Sequence, residues 1–217
     1  MQIAPDVLEG RMTERTANAR LDDIAETAAR LFLDKGYDAA SMADLAAATG
    51  LGKSSLYHHL SSKDQLLAHI CGRMLDELRD GLDQAAALPG PAGARLDRAL
   101  DHVVRIALGR VAASNLLLTV KPTTETGRRI LDERRQLEQR LADLIAGAQA
   151  DGAVRDDVDP LLLTRLVMGT IHGLVAWYRP ESSELDPDTV RHAVVTLARA
   201  AFRTGPPVPT PVPDRAH

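Results

Sequence analysis

Between Thr49 and Lys63 the chain carries no acidic residue. Within that stretch Lys53, His58, His59 and Lys63 can approach an anion, and Ser54, Ser55 and Tyr57 supply hydroxyls. This set suits a phosphodiester duplex: ammonium groups neutralise phosphates, while short hydroxyl side chains reach phosphate oxygens or base edges. Leu51, Leu56 and Leu60 remain to face inward.

The elements that must position these groups are short. Ser41 with Asp44 three residues on forms a capping box, predicting a helix over 42–48 that Thr49-Gly50-Leu51-Gly52 stops. A second helix is predicted over 53–59, and Ser61 or Ser62 caps a third. Helices this short are not stable alone. Docked steeply on a longer neighbour they make a helix-turn-helix, whose second member can lie in the DNA major groove. The same spacing also fits a surface helix pair in an all-α protein.

Other chemistries fit less well. Gly52-Lys53-Ser54 ends like a phosphate-binding loop, but the required first glycine is Ala47 and no strand precedes it. His58, His59, His69 and Cys71 lie close in sequence without a CxxC or HExxH spacing, so no metal is expected. Cys71 has no base at fixed spacing and reads as an inert core thiol. No paired-carboxylate or Ser-His-Asp pattern stands out, so neither enzyme activity nor a cofactor is expected.

The segment FLDKGYDAASMADLAAATGLGKSSLYHHLSSKDQLL, residues 32–67, resembles the DNA-binding domain of TetR/AcrR-type transcriptional regulators. Gly36-Tyr37, Ser41, Met42, Leu45-Ala46, Leu56-Tyr57-His58-His59-Leu60 and Ser62-Lys63-Asp64-x-Leu66 fall in register with that family's motif. Gly52 is a departure, standing where the family usually has a Ser or Thr cap. The resemblance implies DNA contacts near Arg15 at the start of helix 1, at Tyr37 and Ser41 beside the first short helix, and at Lys53, Ser54, Ser55, Tyr57, His58 and Lys63.

With 217 residues, 45% apolar content and only 3% aromatics, the chain suits an all-α fold. An N-terminal three-helix DNA-binding domain over 13–67 and a C-terminal helical ligand-binding and dimerisation domain over 68–204 are expected. A mobile arm over 1–12 and a disordered Pro-rich tail over 205–217 would flank them. Residues 1–70 hold 7 Lys and Arg against 10 Asp and Glu, so any positive footprint must be local to the recognition helix. No signal-peptide core and no long uninterrupted apolar run are evident, which points to a cytoplasmic protein.

Along the rest of the chain, helix 1 is predicted over 13–35. Further helices are predicted over 65–88, 92–109, 111–120, 124–150, 161–178 and 188–203. Asp159-Pro160 and Asp186-Pro187 are paired start signals for the last two. The 132–135 and 138–140 charge runs read as a solvated face. The helix over 161–178 is apolar on nearly every side, as expected of a helix buried partly against a second copy. The resemblance implies a homodimer through the last two helices, with Leu162, Leu166, Leu174, Val194 and Leu197 at the interface. It also implies an effector pocket walled by Met74, Leu78, Val103, Ala107, Leu117, Leu137, Leu141 and Ile171, with His102, Asn115, His172 and Trp177 nearby. From Asp151 to Pro180 the chain looks like family members that repress lipid or sterol catabolism and respond to acyl-CoA thioesters, although His172-Gly173 replaces a common Asn-Trp. These features predict a repressor of a near-palindromic operator, released by a small apolar effector such as an acyl-CoA. An efflux repressor responding to aromatic drugs, a non-sensing DNA-binding dimer and an all-α enzyme or carrier are the alternatives.

Overall fold

The structure, a computed structural model, describes residues 21–180 and 183–203, with the side chains of His58 and His59 also left out. The expected arm, Arg15 and the tail over 205–217 therefore lie outside the described residues. Among those described, every regular element is a helix: α1 (21–35), α2 (Met42–Thr49), α3 (Lys53–His59), α4 (Lys63–Ala87), α5 (Ala92–Gly109), α6 (Val111–Thr119), α7 (Glu125–Ala150), α8 (Pro160–Trp177) and α9 (Pro187–Phe202).

Local chemistry sets the boundaries. Ser41 Oγ accepts from Asp44 N at 3.2 Å and Asp44 Oδ2 accepts from Ser41 N at 2.8 Å, closing the capping box of α2. Gly50, at φ 66°, ends that helix in the left-handed region. α3 starts at Gly52 with no side-chain cap, whereas Ser62, Thr124, Asp159 and Asp186 each accept from a first-turn N–H of α4, α7, α8 and α9.

The long helix α4 joins the two halves. Its first turns bury Leu66, Leu67 and Ile70 in the same core as Ile24, Ala28 and Phe32 of α1, Leu45 of α2 and Leu56 and Leu60 of α3. Its later turns bury Met74, Leu75, Leu78 and Leu82 against α5 and α7. Cys71 is fully buried and burial pushes its thiol up to about 12, which leaves it protonated and unreactive at neutral pH.

By length and mean hydropathy, 1.3, α8 could cross a membrane, although no uninterrupted apolar run was evident in the sequence. Its apolarity divides between two faces. Leu163, Val167, Ile171, Leu174 and Val175 are buried in the bundle, while Leu162, Leu166 and Trp177 are exposed.

Candidate nucleic-acid interface and effector cavity

Two features follow from this frame: a polar face on α3 and a cavity beneath α4. On α3, the core residue Leu56 is 0% exposed and Leu60, just past the helix, 1%, which turns the opposite side to solvent. There Lys53, Ser54 and Tyr57 are exposed and Ser55 is half-buried, and among the described residues none of these side chains makes a hydrogen bond or ion pair. His58 belongs to the same helix, but its side chain is outside the described residues.

The other residues expected near DNA are engaged within the chain. Lys63 Nζ donates to the carbonyls of Tyr37 at 2.6 Å, Ala40 at 2.8 Å and Asp38 at 3.3 Å, and lies 4.5 Å from the centre of the Tyr37 ring. Its three protons are thus directed at backbone, so it holds the α1–α2 connection against the start of α4. The Tyr37 hydroxyl donates to Asp64 Oδ1 at 2.7 Å, and its ring meets Phe32 edge-on at 5.1 Å. Burial first, then Asp64, raises the Tyr37 pKa well above the ordinary phenol value. Ser41 donates its hydroxyl to Asp44 Oδ2 at 2.6 Å, and Lys35 pairs with the same oxygen at 2.7 Å. Those contacts, first Lys35 and then Ser41, hold the Asp44 carboxyl well below the usual range. Tyr37 and Lys63 therefore tie the α1–α2 connection to the start of α4, while Ser41 caps α2.

A narrow cavity of about 60 Å³ lies among α4 to α8. Met74, Leu78, Val103, Ala107, Leu117, Leu137, Leu141, Ile171 and His172, all named above for an effector pocket, line it. Three expected members are elsewhere. His102 donates through Nε2 to the Glu77 carbonyl, 2.9 Å away, and fills the space over Gly81, where an added Cβ would lie 2.0 Å from the ring. It is a close-contact staple between α4 and α5. Asn115 donates to the carbonyls of Val175 at 2.6 Å and Val111 at 3.0 Å, tying α6 to α8. Trp177 is 61% exposed on the outer side of α8.

Sequence reasoning missed that Arg134 and Glu138 line the cavity, although their side chains stay partly exposed. A signal was present. At about 100° per residue, position 134 projects between Leu141 and Ile145 on the wheel of α7, inside its apolar stripe. The surrounding run of charges obscured it.

Of the residues expected at a subunit interface, Leu162, Leu166 and Leu197 are exposed, at 49%, 59% and 59%, and Val194 is half-buried. Leu174 is a correction. At 7% exposure it faces the chain's own core, because it lies three residues from Ile171 on the inner side of α8.

Two family models match this chain: "Bacterial regulatory proteins, tetR family" over residues 24–70, and "Tetracyclin repressor-like, C-terminal domain" over residues 89–202. The HTH-type transcriptional repressor KstR2 of Mycolicibacterium smegmatis is 30% identical over 175 residues, covering 75% of this chain and 80% of the relative. SCO3833 of Streptomyces coelicolor A3, a TetR-family regulator, is 39% identical with a TM-score of 0.74, covering 83% of this chain and 91% of that one. AibR, solved in complex with isovaleryl coenzyme A and operator DNA, is 26% identical with a TM-score of 0.69, covering 82% and 97%.

Proposed function

The chain belongs to the TetR family of bacterial regulatory proteins and is a DNA-binding transcriptional repressor rather than an enzyme; from that premise we propose that it works as a cytoplasmic homodimer released from a near-palindromic operator by an acyl-CoA thioester. Each α3 reads one half-site, with Lys53 on a phosphate and Ser54, Ser55, Tyr57 and His58 near base edges or the backbone. Half-sites about 34–36 Å apart, or a multiple of that, place both recognition helices on one side of the duplex. Arg15, outside the described residues, is assigned a phosphate contact. Tyr37 and Lys63 act mainly by tying the α1–α2 connection to α4, and Ser41 by capping α2, since their polar atoms already have partners. The domain limits proposed are 13–67 for DNA binding and 68–204 for effector binding and dimerisation, with α4 continuous across the boundary.

The observation that carries the effector reading is the position of the cavity. Four of its wall residues, Met74, Leu75, Leu78 and Leu82, belong to α4, whose N-terminal turn carries Lys63 and Asp64. A ligand seated against the second half of α4 therefore acts on the helix whose first turns share the core of α2 and α3. Asp22 of α1 pairs with Arg73 and approaches His69 at 3.2 Å, so α1 travels with α4. One turn further along the same side of α4, Glu77 accepts from Arg110 at 2.5 Å, and moving α4 past the end of α5 strains that bond. An effector preferring the displaced arrangement 5- to 150-fold supplies about 1–3 kcal/mol of coupling.

The almost wholly apolar wall favours a hydrophobic ligand, and the isovaleryl coenzyme A bound to AibR supports a thioester. The test is operator binding by fluorescence anisotropy against acyl-CoAs, free fatty acids and planar cationic drugs. Acyl-CoAs should release the duplex. Release by the drugs alone would replace the thioester with an aromatic effector, and release by none would leave a non-sensing dimer.

A further inference from the structure

Four polar side chains line the cavity, and three of them, Arg134, Glu138 and His172, make one corner, with Glu138 3.7 Å from Arg134 and His172 within reach of the Arg134 charge. Ser114 is engaged within the wall, its hydroxyl 3.2 Å from the Ala107 carbonyl and 3.8 Å from the Met74 sulfur. Arg134, Glu138 and His172 remain. Arg134 Nε is buried with no hydrogen-bond partner, and its Nη1 reaches only the Leu117 carbonyl, at 3.4 Å. Glu138 Oε1 lies 3.7 Å from that Nε, outside hydrogen-bond range, and Glu138 Oε2 lies 4.0 Å from Nε of Arg165, whose side chain is exposed. A guanidinium binds oxygen best through short, aimed N–H bonds, and a buried N–H lacking one is a rare arrangement in a folded protein. His172 makes no hydrogen bond among the described residues. Burial, and secondly the charge of Arg134, lowers its pKa, so at neutral pH it is an uncharged ring with one N–H to donate.

We propose that this corner receives the oxygen of an acyl group, a carboxylate or a thioester carbonyl, while the hydrocarbon chain fills the apolar remainder. The inference deepens the effector reading given above and rests on it. Arg134 supplies the charged donor, His172 a neutral one, and the loosely held Glu138 turns from Arg134 toward Arg165. Arg134 thereby selects against ligands whose polar end is a cation. The Glu138–Arg165 contact, which joins α7 to α8, tightens as the ligand enters.

Isothermal titration of the full chain with octanoate, octanoyl-CoA and octyltrimethylammonium tests this, because the three share one hydrocarbon length and differ at the head. At least one acyl probe should bind ten or more times tighter than the ammonium. Octanoyl-CoA alone would assign the thioester as the natural head, and octanoate alone the free acid. Arg134→Met should weaken acyl binding at least tenfold without weakening the ammonium, Arg134→Lys should restore part of it, and Glu138→Gln should tighten it several-fold. Should Arg134→Met fail to fold, the Arg134→Lys and Glu138→Gln pair still decides. Equal binding of acyl and ammonium probes by the wild type, or weaker acyl binding in Glu138→Gln, overturns the role of this corner alone. No binding by any probe, or binding that survives filling the cavity with Ala107→Phe, overturns the effector cavity itself.

Discussion

The outward face of α3 is polar, with Lys53, Ser54 and Tyr57, whereas the outward faces of α8 and α9 are apolar, with Leu162, Leu166, Trp177 and Leu197. Among the described residues neither face is covered, but water treats them differently. Hydroxyls and an ammonium are well solvated, so the α3 face is stable when exposed and its partner is needed only for function. Exposed leucine and tryptophan lose about 25 cal/mol for each Å² left in water, so the α8–α9 face gains stability when covered. Gly169 and Gly173 lie on that outer side of α8 with open space where a side chain would project, which would let a second helix approach closely. The contrast teaches that the two proposed partners, DNA and a second copy, should respond to opposite perturbations. Salt should govern the first and buried charge the second.

The largest effect should come from placing a charge on the apolar face. Leu166→Glu should convert a dimer to monomers in sedimentation and lower operator affinity at least a hundredfold, because an unpaired carboxylate would be buried between subunits. Leu174→Ala supplies the contrast. Its side chain lies in the chain's own core, so the variant should lose about 2–5 kcal/mol of stability by denaturant unfolding. An intact Leu166→Glu dimer would remove α8 from the interface.

Next in size is the separation of anchoring from contact among the lysines. Lys63→Met removes a donor from three carbonyls and should destabilise the chain by about 1–3 kcal/mol. The salt dependence of operator binding should hardly change. Lys53→Ala should do the reverse: little change in thermal stability, weaker binding to operator and scrambled duplexes alike, and a log–log salt slope reduced by about 0.9. Equal salt slopes for Lys53→Ala and the wild type would take Lys53 off the phosphate backbone.

These two lysines mark where the sequence was legible and where it was not. Helix limits came within one or two residues at most of the described ends because caps are local: Ser41 with Asp44, Ser62 with Gln65 and Asp159 with Leu162 all act across three residues. The inward face of the cavity was legible for a similar reason, since helical spacing of apolar residues marks one side. Long-range destinations were not. Lys63 finds carbonyls 23 to 26 residues earlier, and Asn115 finds one 60 residues later. No spacing rule distinguishes those from exposed polar groups. Arg134 was hidden by the opposite bias, in which a charge within a charged run is assigned to solvent although its angular position is inside the apolar stripe. Leu174 was misplaced because a helix apolar all round gives no angular contrast between its own core and a neighbour's.

The smallest expected effect concerns the start of α3. Gly52 is the N-cap residue and gives α3 no side-chain acceptor, unlike Ser41 and Ser62 at the neighbouring helices. Its backbone, at φ −63° and ψ 148°, is open to any L residue, and nothing lies within 4 Å of an added Cβ. Gly52→Ser should therefore place Oγ where it accepts from a first-turn N–H without strain. Exchanging Gly for Ser at an N-cap is worth only a few tenths of a kcal/mol, so the melting temperature should rise by about one or two degrees. The informative readout is hydrogen exchange: amides at the start of α3 should become more protected while those of α4 stay unchanged. Loss of stability on this substitution would mean that the α3 start departs from the geometry described, and with it the aim of Lys53 and Ser54 at the duplex.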